Sequence, residues 1–572
     1  MNHGDESREL LPKVDPSRQG PGEGEGVPAA PGPVRPTRDR EESFALVSVL
    51  IFSLLLTVIG LSVVVLSVTE VMISHNDVLQ RQAFYVAEGG VENQIAQIDA
   101  VSAGSEIPTQ DELLSISQIP PAFEGFSFSD YGVSRERDAY LSVITLGPYA
   151  GLSAFIQPYR LVSRAVGPGG SMASISRRPE HHLIPVFQFS IFYDLDLEIF
   201  PRQYMTVNGR VHTNGNLHVG AETDLYFDGF VTSADNILSD RKDGQPGPSG
   251  QVWFKDDRGS YRQMTFDSQD SHWEDRALRT WGGRVQDQAH GIIRIQLPLV
   301  PGSDPVEVIR RGEVGDSEAL QESRFYYKAG LMIIDGVATD GNGYPVALAA
   351  GILSSHTFYN FREGKWLTAT EIDIEELIAA GQVPGNGIIY ISASETLPGA
   401  RDAVIRLVNG SRLPQGGLTV ATDNPLYIRG NYNVVIPQPA SVLADALNIL
   451  SNSWDDVNSD QSIGHRRASD TTIRAAVMAG TLETTPGNYN GGIENFPRFL
   501  EDWGGMSMTY VGSLVCMWIS EWATGQFVYG GEYYIAPSRN WSFDSAFYSP
   551  DGLPPGTPSV LNFEPGDWSS EE

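Results

Sequence analysis

Cysteine is nearly absent from this chain. Cys516 is the single cysteine among 572 residues, so no disulfide can form within the chain. The absence of disulfides excludes a small secreted scaffold that disulfides hold together. A low cysteine content is common in large exported proteins. Cys516 lies in the apolar run Tyr510–Trp518, whereas a reactive thiol needs an exposed, electropositive setting. The sequence therefore predicts a packing role for this thiol.

Basic residues are also scarce. Lysine and arginine number 39 against 71 aspartates and glutamates, which gives a formal net charge of −32. A surface this acidic repels phosphate backbones, so we expect no nucleic-acid partner. With 41% hydrophobic residues, the chain has enough apolar material for two or three domains.

Catalytic and cofactor-binding motifs are missing too. We therefore expect no enzyme activity, no catalytic residues, no cofactor and no metal. The segment Asp456–Asp460 has alternating oxygen ligands, but Gln461 and Arg467 replace the glycine and glutamate of a calcium loop. A looser calcium site and a solvated acidic loop both stay open for this segment. The loose site would use four side chains: Asp455, Asp456, Asn458 and Asp460.

Two other polar pairs are weak candidates for chemistry. His212 and His218 flank the turn at Asn214, but no third ligand accompanies them, which disfavours a zinc site. Asp256 and Asp257 could mimic a glycosidase pair, yet adjacent strand residues point to opposite faces. A surface turn is the expectation there.

One long hydrophobic run is present. Residues 44–68 carry no charge and exceed the roughly 20 residues that a helix needs to cross a bilayer. A cleaved secretory signal would be shorter. Apolar or small residues then recur at helical spacing and predict one continuous helix over Phe44–Ile98. They are Met72, Leu79, Ala83, Val86, Gly90, Ile95 and Ile98. A signal anchor with a short coiled stalk is the alternative.

The flanks of this run predict its orientation. Arg35, Arg38 and Arg40 precede it, while residues 69–80 contain no lysine or arginine, so the short N-terminal tail should be cytoplasmic. That tail is rich in proline, glycine and charge, and we expect it to be disordered. The large remainder would then lie in the periplasm or outside the cell.

The segments Ser43–Ser48 and Ala83–Gly90, joined by the apolar helix, resemble the N-terminal region of PilX-type minor pilins and related type IV pilus assembly proteins. The resemblance implies a basic leader, a prepilin-peptidase site and a helix that packs into a filament or its assembly platform. The implied partners are other pilin or assembly subunits, contacted through this helix in the bacterial cytoplasmic membrane. Ser43 replaces the glycine before the cut, and Ser48 replaces the glutamate of major pilins.

An internal repeat dominates the rest of the chain. Val207–Leu217 aligns without a gap on Phe227–Ile237, an offset of 20 residues that matches Gly209 with Gly229 and Val211 with Val231. Short β runs with Asn, Gly and Asp corners at this period are typical of a β-solenoid. We therefore predict that the matched residues are neighbours on parallel strands.

Further short matches extend this prediction. Leu426–Tyr432 is similar to Leu225–Val231, and Ile473–Val477 is similar to Tyr510–Leu514. Two unrelated β domains with chance matches are the alternative. The stretches Phe187–Asp194, Thr422–Gly430 and Asn495–Leu500, among others, also resemble uncharacterised bacterial proteins that join a PilX-type N-terminus to a β-rich region.

The predicted fold class is mainly β with a long N-terminal transmembrane and stalk helix. A pilin-like sheet follows, with the hairpin 159–178, and then a right-handed β-solenoid-like body with a large β-rich insertion. The predicted segments are a disordered cytoplasmic tail (1–42), a transmembrane helix (43–68), a stalk helix (69–100), a connector and small sheet (101–195), solenoid rungs (196–237), the insertion with its own hairpins (238–420), further rungs and a cap (421–550), and an acidic, proline-rich tail on the surface or disordered (551–572).

Aromatic residues cluster near the C-terminus, where they would close the last rung or line a sugar-stacking groove. They are Trp503, Trp518, Trp522, Tyr533, Tyr534, Trp541 and Phe543. Two functions stay open. One is a non-enzymatic, membrane-anchored component of a type IV pilus or pseudopilus, acting in assembly or surface adhesion. The alternative is a membrane-anchored carbohydrate-active or carbohydrate-binding β-helix protein, which a cleft with two carboxylates about 5 to 10 Å apart would favour.

Overall fold

The computed structural model describes residues 39–102, 107–300, 302–394, 402–527 and 531–571. The chain divides into two compact units, Met1–Asp77 and Val78–Glu572. Helix α1 runs from Asp39 to Ser102, which confirms the predicted helix over Phe44–Ile98. No proline lies within it, so the backbone ladder loses no donor. The predicted tail lies outside the described residues up to residue 38, and its last four residues belong to α1 instead.

The head is the part of the second unit that follows α1, residues 107–185. It contains a short helix and the predicted hairpin, which β3 and β4 form in antiparallel register from Leu161↔Arg177 to Val166↔Met172. Strands β1, β2 and β5 also pair with β3. The elements are α2 (Gln110–Ser117), β1 (Ser127–Arg135), β2 (Tyr140–Val143), β3 (Ser153–Val166), β4 (Met172–Arg177) and β5 (Glu180–Pro185).

The body follows the head. Its first part, the N-terminal arm, comprises the short strands β6 to β16, most of which lie in three parallel stacks. Strands β6, β9, β12 and β16 form one stack, β7, β10 and β13 the second, and β8, β11 and β14 the third. Strand β15 adds to β14 in antiparallel fashion. The elements are β6 (Phe189–Tyr193), β7 (Leu197–Ile199), β8 (Met205–Val207), β9 (Arg210–Thr213), β10 (Leu217–Val219), β11 (Asp224–Phe227), β12 (Val231–Ser233), β13 (Ile237–Leu238), β14 (Gln251–Lys255), β15 (Tyr261–Gln263), α3 (Trp273–Trp281) and β16 (Val285–Gln286).

The register of this arm follows the 20-residue repeat. Val211 pairs with Val231, and Val207 pairs with Phe227, and all four side chains are buried. Gly209 and Gly229 are direct neighbours, because a Cβ added to Gly229 would lie 1.6 Å from the carbonyl oxygen of Gly209. The predicted lateral pairing is confirmed.

The C-terminal arm places strands alternately in two parallel stacks. Strands β17, β21, β23, β25, β27 and β29 form one stack, and β20, β22, β24, β26 and β28 form the other. The elements are α4 (Glu318–Ser323), α5 (Phe325–Lys328), β17 (Leu331–Ile334), β18 (Val337–Asp340), β19 (Leu353–Asn360), β20 (Lys365–Asp373), α6 (Ile374–Ala379), β21 (Ile388–Ser392), β22 (Ala403–Val408), β23 (Leu418–Ala421), β24 (Leu426–Arg429), β25 (Ala440–Ala444), β26 (Leu447–Leu450), β27 (Thr471–Thr481), β28 (Pro497–Phe499), β29 (Ser507–Ile519) and β30 (Ser538–Phe543).

The two arms meet in the middle of one sheet of twelve strands. Strand β29, which ends the C-terminal arm, pairs in parallel with β6, which begins the N-terminal arm, at Leu514↔Ile191. Along the chain, the N-terminal arm therefore starts at this pair of strands and leads away from it, and the C-terminal arm leads back to it. Apolar side chains from both arms form one buried cluster.

Two of the short sequence matches have different outcomes. Ile473 pairs with Tyr510 and Val477 with Leu514, so these two segments are adjacent strands as predicted. Leu426–Tyr432 and Leu225–Val231 are not neighbouring strands, because β24 and β11 lie in different sheets, and their membership of one solenoid stays a prediction. Alternation of apolar and polar residues specifies a strand but not its stack.

Residues 238–420 are not a separate β insertion. Within this range β14 and β16 extend the N-terminal arm, while β21 and β22 belong to the C-terminal arm and pair with β23 and β24. The chain does turn back at residues 340–343, where Thr339 and Pro345 form an antiparallel bridge, and a second, tighter turn at Asp335 and Gly336 joins β17 to β18. Asp335 adopts a positive φ of 51° that this tight turn requires.

The acidic C-terminal segment is also different from its prediction. Instead of a surface or disordered tail, residues 551–571 contain β31 (Ser559–Glu564) and β32 (Trp568–Glu571). Strand β31 pairs with β5, and β32 pairs with β4, so both complete the head sheet, which has seven strands.

Candidate membrane and assembly helix

The first part of α1 is an exposed apolar surface. Every residue from Phe44 to Val78 is exposed, and among the described residues one helix is long and apolar enough to cross a membrane, with a window of mean hydropathy 2.9. Its hydroxyls are satisfied within the helix: Ser48 donates to the Phe44 carbonyl at 2.8 Å and Thr57 to the Ser53 carbonyl at 2.7 Å. The segment fits a single-pass membrane anchor.

Small residues interrupt this apolar surface on one side. Gly60 and Ser53 are seven residues apart and lie within about 20° of each other around the helix, with Thr57 close by. A Cβ added to Gly60 would meet no atom within 4 Å. The helix itself therefore does not require glycine at this position.

The second part of α1, from Val78 onward, packs on the head sheet. Ala83, Ala87, Val91 and Ile98 are buried against residues of α2 and the strands β1, β3 and β4. Gly90 permits this close approach, because a Cβ there would lie 2.2 Å from Ser163 Oγ. The glycine is therefore a packing position and leaves the helix intact.

Polar side chains fix this part of α1 at both ends of the contact. Gln80 Nε2 donates to the Met172 carbonyl at 3.0 Å, and Gln80 Oε1 accepts from the Met172 amide at 3.2 Å. Further along, Gln94 is fully buried and donates to the Val162 carbonyl at 3.0 Å. An amide that bonds to backbone across the sheet specifies the register of the helix on the strands.

The histidines weighed for zinc serve structural roles. His212 is fully buried between Thr232 Oγ1, at 2.8 Å, and Asn214 Oδ1, at 3.0 Å. Burial lowers the pKa of His212 to about 4, so its ring is neutral. His218 Nδ1 instead lies 2.9 Å from the Asp240 carbonyl oxygen. The described residues contain no group of three or more His, Cys, Asp or Glu side chains suited to a metal ion.

The acidic candidates are also occupied by protein contacts. Asp456 accepts two hydrogen bonds from the buried Arg406, at 2.7 and 2.8 Å, which opposes a calcium role for this carboxylate. Asp256 accepts from the Ser260 amide at 2.7 Å and from Arg262 Nε at 2.9 Å, as a turn residue does. Cys516 is fully buried, and burial raises the pKa of its thiol well above the ordinary range. That environment disfavours a nucleophile.

The C-terminal aromatic residues divide between core and partly buried positions. Trp503, Trp518, Tyr534 and Phe543 are buried, and the Trp503 and Phe499 rings lie 5.4 Å apart in an edge-on contact. Their faces are therefore used in packing and are not available as an open sugar-stacking groove. Trp522, Tyr533 and Trp541 are partly buried.

Comparison with known proteins identifies the N-terminal segment. Residues 44–92 match the model of the family described as PilX N-terminal. This segment is a PilX-type N-terminal region. It is the same part of the chain in which α1 passes from its exposed apolar part to its packed part.

A solved structure also shows a distant similarity. It is the competence-associated pilin ComZ from Thermus thermophilus, with 13% identity and a TM-score of 0.28 over 86% of this chain and 98% of that chain. A TM-score this low does not establish a shared fold. No curated protein matches the chain significantly.

Proposed function

We propose that this chain is a non-enzymatic, minor-pilin-like component of a type IV pilus or pseudopilus machine. The observation that supports the proposal is α1 itself: its PilX-type segment joins an exposed apolar part to a part that is packed on a small antiparallel sheet. A filament subunit needs both features, one to enter the membrane or the filament and one to carry a folded head.

The membrane segment is proposed at residues 43–68 and the stalk at residues 69–100, in the bacterial cytoplasmic membrane. The arginines at 35, 38 and 40 favour a cytoplasmic N-terminus, and the body then lies in the periplasm or outside the cell. The net charge of −32 disfavours nucleic acid as a partner of that body.

The body is proposed to be a right-handed β-solenoid that acts as a spacer or adhesive module. Parallel pairing at a constant offset of 20 residues over β7–β13 supports the solenoid interpretation. Stacked parallel strands resist bending, which suits a module that projects away from its anchor.

Other pilus subunits would contact the exposed part of α1. In hydrocarbon, helices associate mainly through close backbone approach at small residues, and the face with Ser53, Thr57 and Gly60 provides such a position. Gly60→Leu should therefore block the approach of a partner helix while favouring the bilayer at least as well as glycine does.

The test compares this variant with Ser62→Leu, which adds the same side chain about 200° around the helix. The protein in sheared surface filaments and in the membrane fraction is quantified for each variant. Gly60→Leu should reduce the filament fraction by about tenfold, which corresponds to about 1.4 kcal/mol of helix association. Ser62→Leu should leave it unchanged. Wild-type protein confined to membranes in cells with abundant pili would contradict the proposal.

A further inference from the structure

A cleft lies where the N-terminal arm meets two long connections of the C-terminal arm. It has a volume of about 430 Å³, within the range of about 300 to 1,000 Å³ typical of small-molecule sites. Phe200 and Arg202, which follow β7, line one wall together with Glu222, which follows β10. Tyr489 and Glu494, on the connection between β27 and β28, line the opposite wall.

The aromatic side chains of the cleft offer apolar contact area. The rings of Tyr489 and Phe527 lie 6.1 Å apart at an angle of 87°. The Arg241 guanidinium lies 4.2 Å from the centroid of the Tyr489 ring and holds that ring in place. Tyr489 Oη is shielded from solvent and has no hydrogen-bond partner among the described residues. A ligand in the cleft would therefore contact the ring of Tyr489 and not its hydroxyl oxygen.

The charged side chains of the cleft are balanced. Arg202 Nε lies 3.1 Å from Glu222 Oε2, and Arg539 Nη1 lies 3.1 Å from Glu494 Oε1. The cleft wall itself carries two arginines, Arg202 and Arg241, and two glutamates. Burial raises the pKa of Glu494, and the neighbouring Arg539 opposes this rise. The cleft thus has many donors and acceptors but no excess charge, on a chain whose net charge is −32.

This combination selects a chemical class of ligand. Sugar rings present apolar C–H faces and a rim of hydroxyls, and each hydroxyl both donates and accepts. Aromatic rings match the faces, and arginine and glutamate side chains can bond pairs of neighbouring hydroxyls in a fork. Polyanions would meet the repulsion of the whole chain. We propose that the cleft formed by Arg202, Glu222, Tyr489 and Glu494 binds a neutral oligosaccharide.

This binding would give the body the adhesive capacity that is one of the two roles proposed for it. Its test does not require a pilus, so either proposal can fail without the other. The full chain is reconstituted in lipid nanodiscs, because glycoside detergents carry sugar headgroups that would compete. Calorimetric titrations use cellotetraose, chitotetraose and mannotetraose, with tetragalacturonate as the charged counterpart.

At least one neutral tetrasaccharide should bind with a Kd below about 1 mM, and more tightly than tetragalacturonate. Tyr489→Ala should weaken this binding by about tenfold or more, and Glu222→Ala, at an exposed position, should weaken it severalfold. Tyr344→Ala is the matched control, since this tyrosine is 69% exposed on the turn after β18. Its binding should equal that of the wild type.

Three results would overturn the proposal. The first is that none of the neutral tetrasaccharides binds. The second is tighter binding of tetragalacturonate. The third is that binding survives Tyr489→Ala but is lost in Tyr226→Ala, which would assign it to the row of surface aromatics on β11 and β14, where the Tyr226 and Trp253 rings stack 6.0 Å apart. Circular dichroism of each variant checks that its fold is retained.

Discussion

Replacing Gly229 with alanine should test the parallel register of the N-terminal arm more directly than any other single change. The added Cβ would lie 1.6 Å from the carbonyl oxygen and 2.3 Å from the carbonyl carbon of Gly209. Both atoms belong to the backbone of the neighbouring strand connection, so no side-chain rotation can relieve the clash. The two connections must move apart by more than 1 Å, on the order of the gap to an ordinary van der Waals contact.

The cost of this movement has two parts. Overpacking in a well-packed interior costs about 1 to 3 kcal/mol. Separation of the connections also stretches the hydrogen bond from the Val211 amide to the Phe230 carbonyl, 2.8 Å long, and loss of one such bond costs about 1 kcal/mol. We therefore expect Gly229→Ala to lower the local free energy of opening by about 3 kcal/mol.

Hydrogen exchange measures this local effect. Amides of β9 and β12 should exchange about 100-fold faster in Gly229→Ala, because every 1.4 kcal/mol corresponds to a factor of ten. Gly132→Ala is the matched control: Gly132 also lies in a β region at ordinary backbone angles, and a Cβ there meets nothing within 4 Å. If the two variants exchange equally in β9 and β12, Gly209 and Gly229 are not neighbours and the register is wrong.

Two further predictions concern buried charge. Burial raises the pKa of Glu501 to about 7, so the unfolded chain loses this proton at lower pH than the folded chain, and stability should fall as pH rises from about 4.5 to about 7. Glu501→Gln should reduce this loss of stability, measured as urea midpoints across the same pH range. Part of the loss should remain, because burial also raises the pKa of Asp445, to about 6. A pH profile identical to that of the wild type would contradict the raised pKa of Glu501. Arg406 is fully buried and forms ion pairs with Glu371 at 2.6 Å and with Asp456 at 2.7 Å. Because Arg406→Met leaves both carboxylates without their cation, it should destabilise the body by about 3 to 5 kcal/mol. Adding Glu371→Gln and Asp456→Asn removes those two charges and should restore part of the urea midpoint. An Arg406→Met variant as stable as the wild type would show that the two carboxylates do not depend on Arg406.

Local patterns in the sequence account for the features that could be predicted. Helix α1 follows from an uncharged run and a helical stripe without proline, and the hairpin of β3 and β4 follows from two alternating runs around residues 167–170. The 20-residue register follows because matching inward residues must stack for either strand to bury them. Each of these patterns lies within a few dozen neighbouring residues.

The cleft shows where such reasoning stops. The contact of Arg202 with Glu222 was available from the sequence, because the two residues are 20 positions apart and the repeat makes them neighbours. Tyr489 and Glu494 carry no such signal. They lie on a connection outside the repeat, and this connection packs directly against β7, where a Cβ on Gly492 would lie 2.4 Å from the Glu198 carbonyl oxygen. Contacts between segments hundreds of residues apart have no local periodicity to indicate them.

The same limit explains the acidic C-terminal segment. Its proline and charge content is typical of a solvated tail, yet β31 and β32 find partners in β5 and β4, which lie almost 400 residues earlier. The body is therefore inserted between β5 and β31 of one head sheet, and both of its ends are fixed there. Because the second part of α1 packs on that same sheet, strands from the two ends of the chain support the helix together. A body held at two points transmits a pull on its surface into the head sheet through paired strands, whereas a body held by one linker would swing freely.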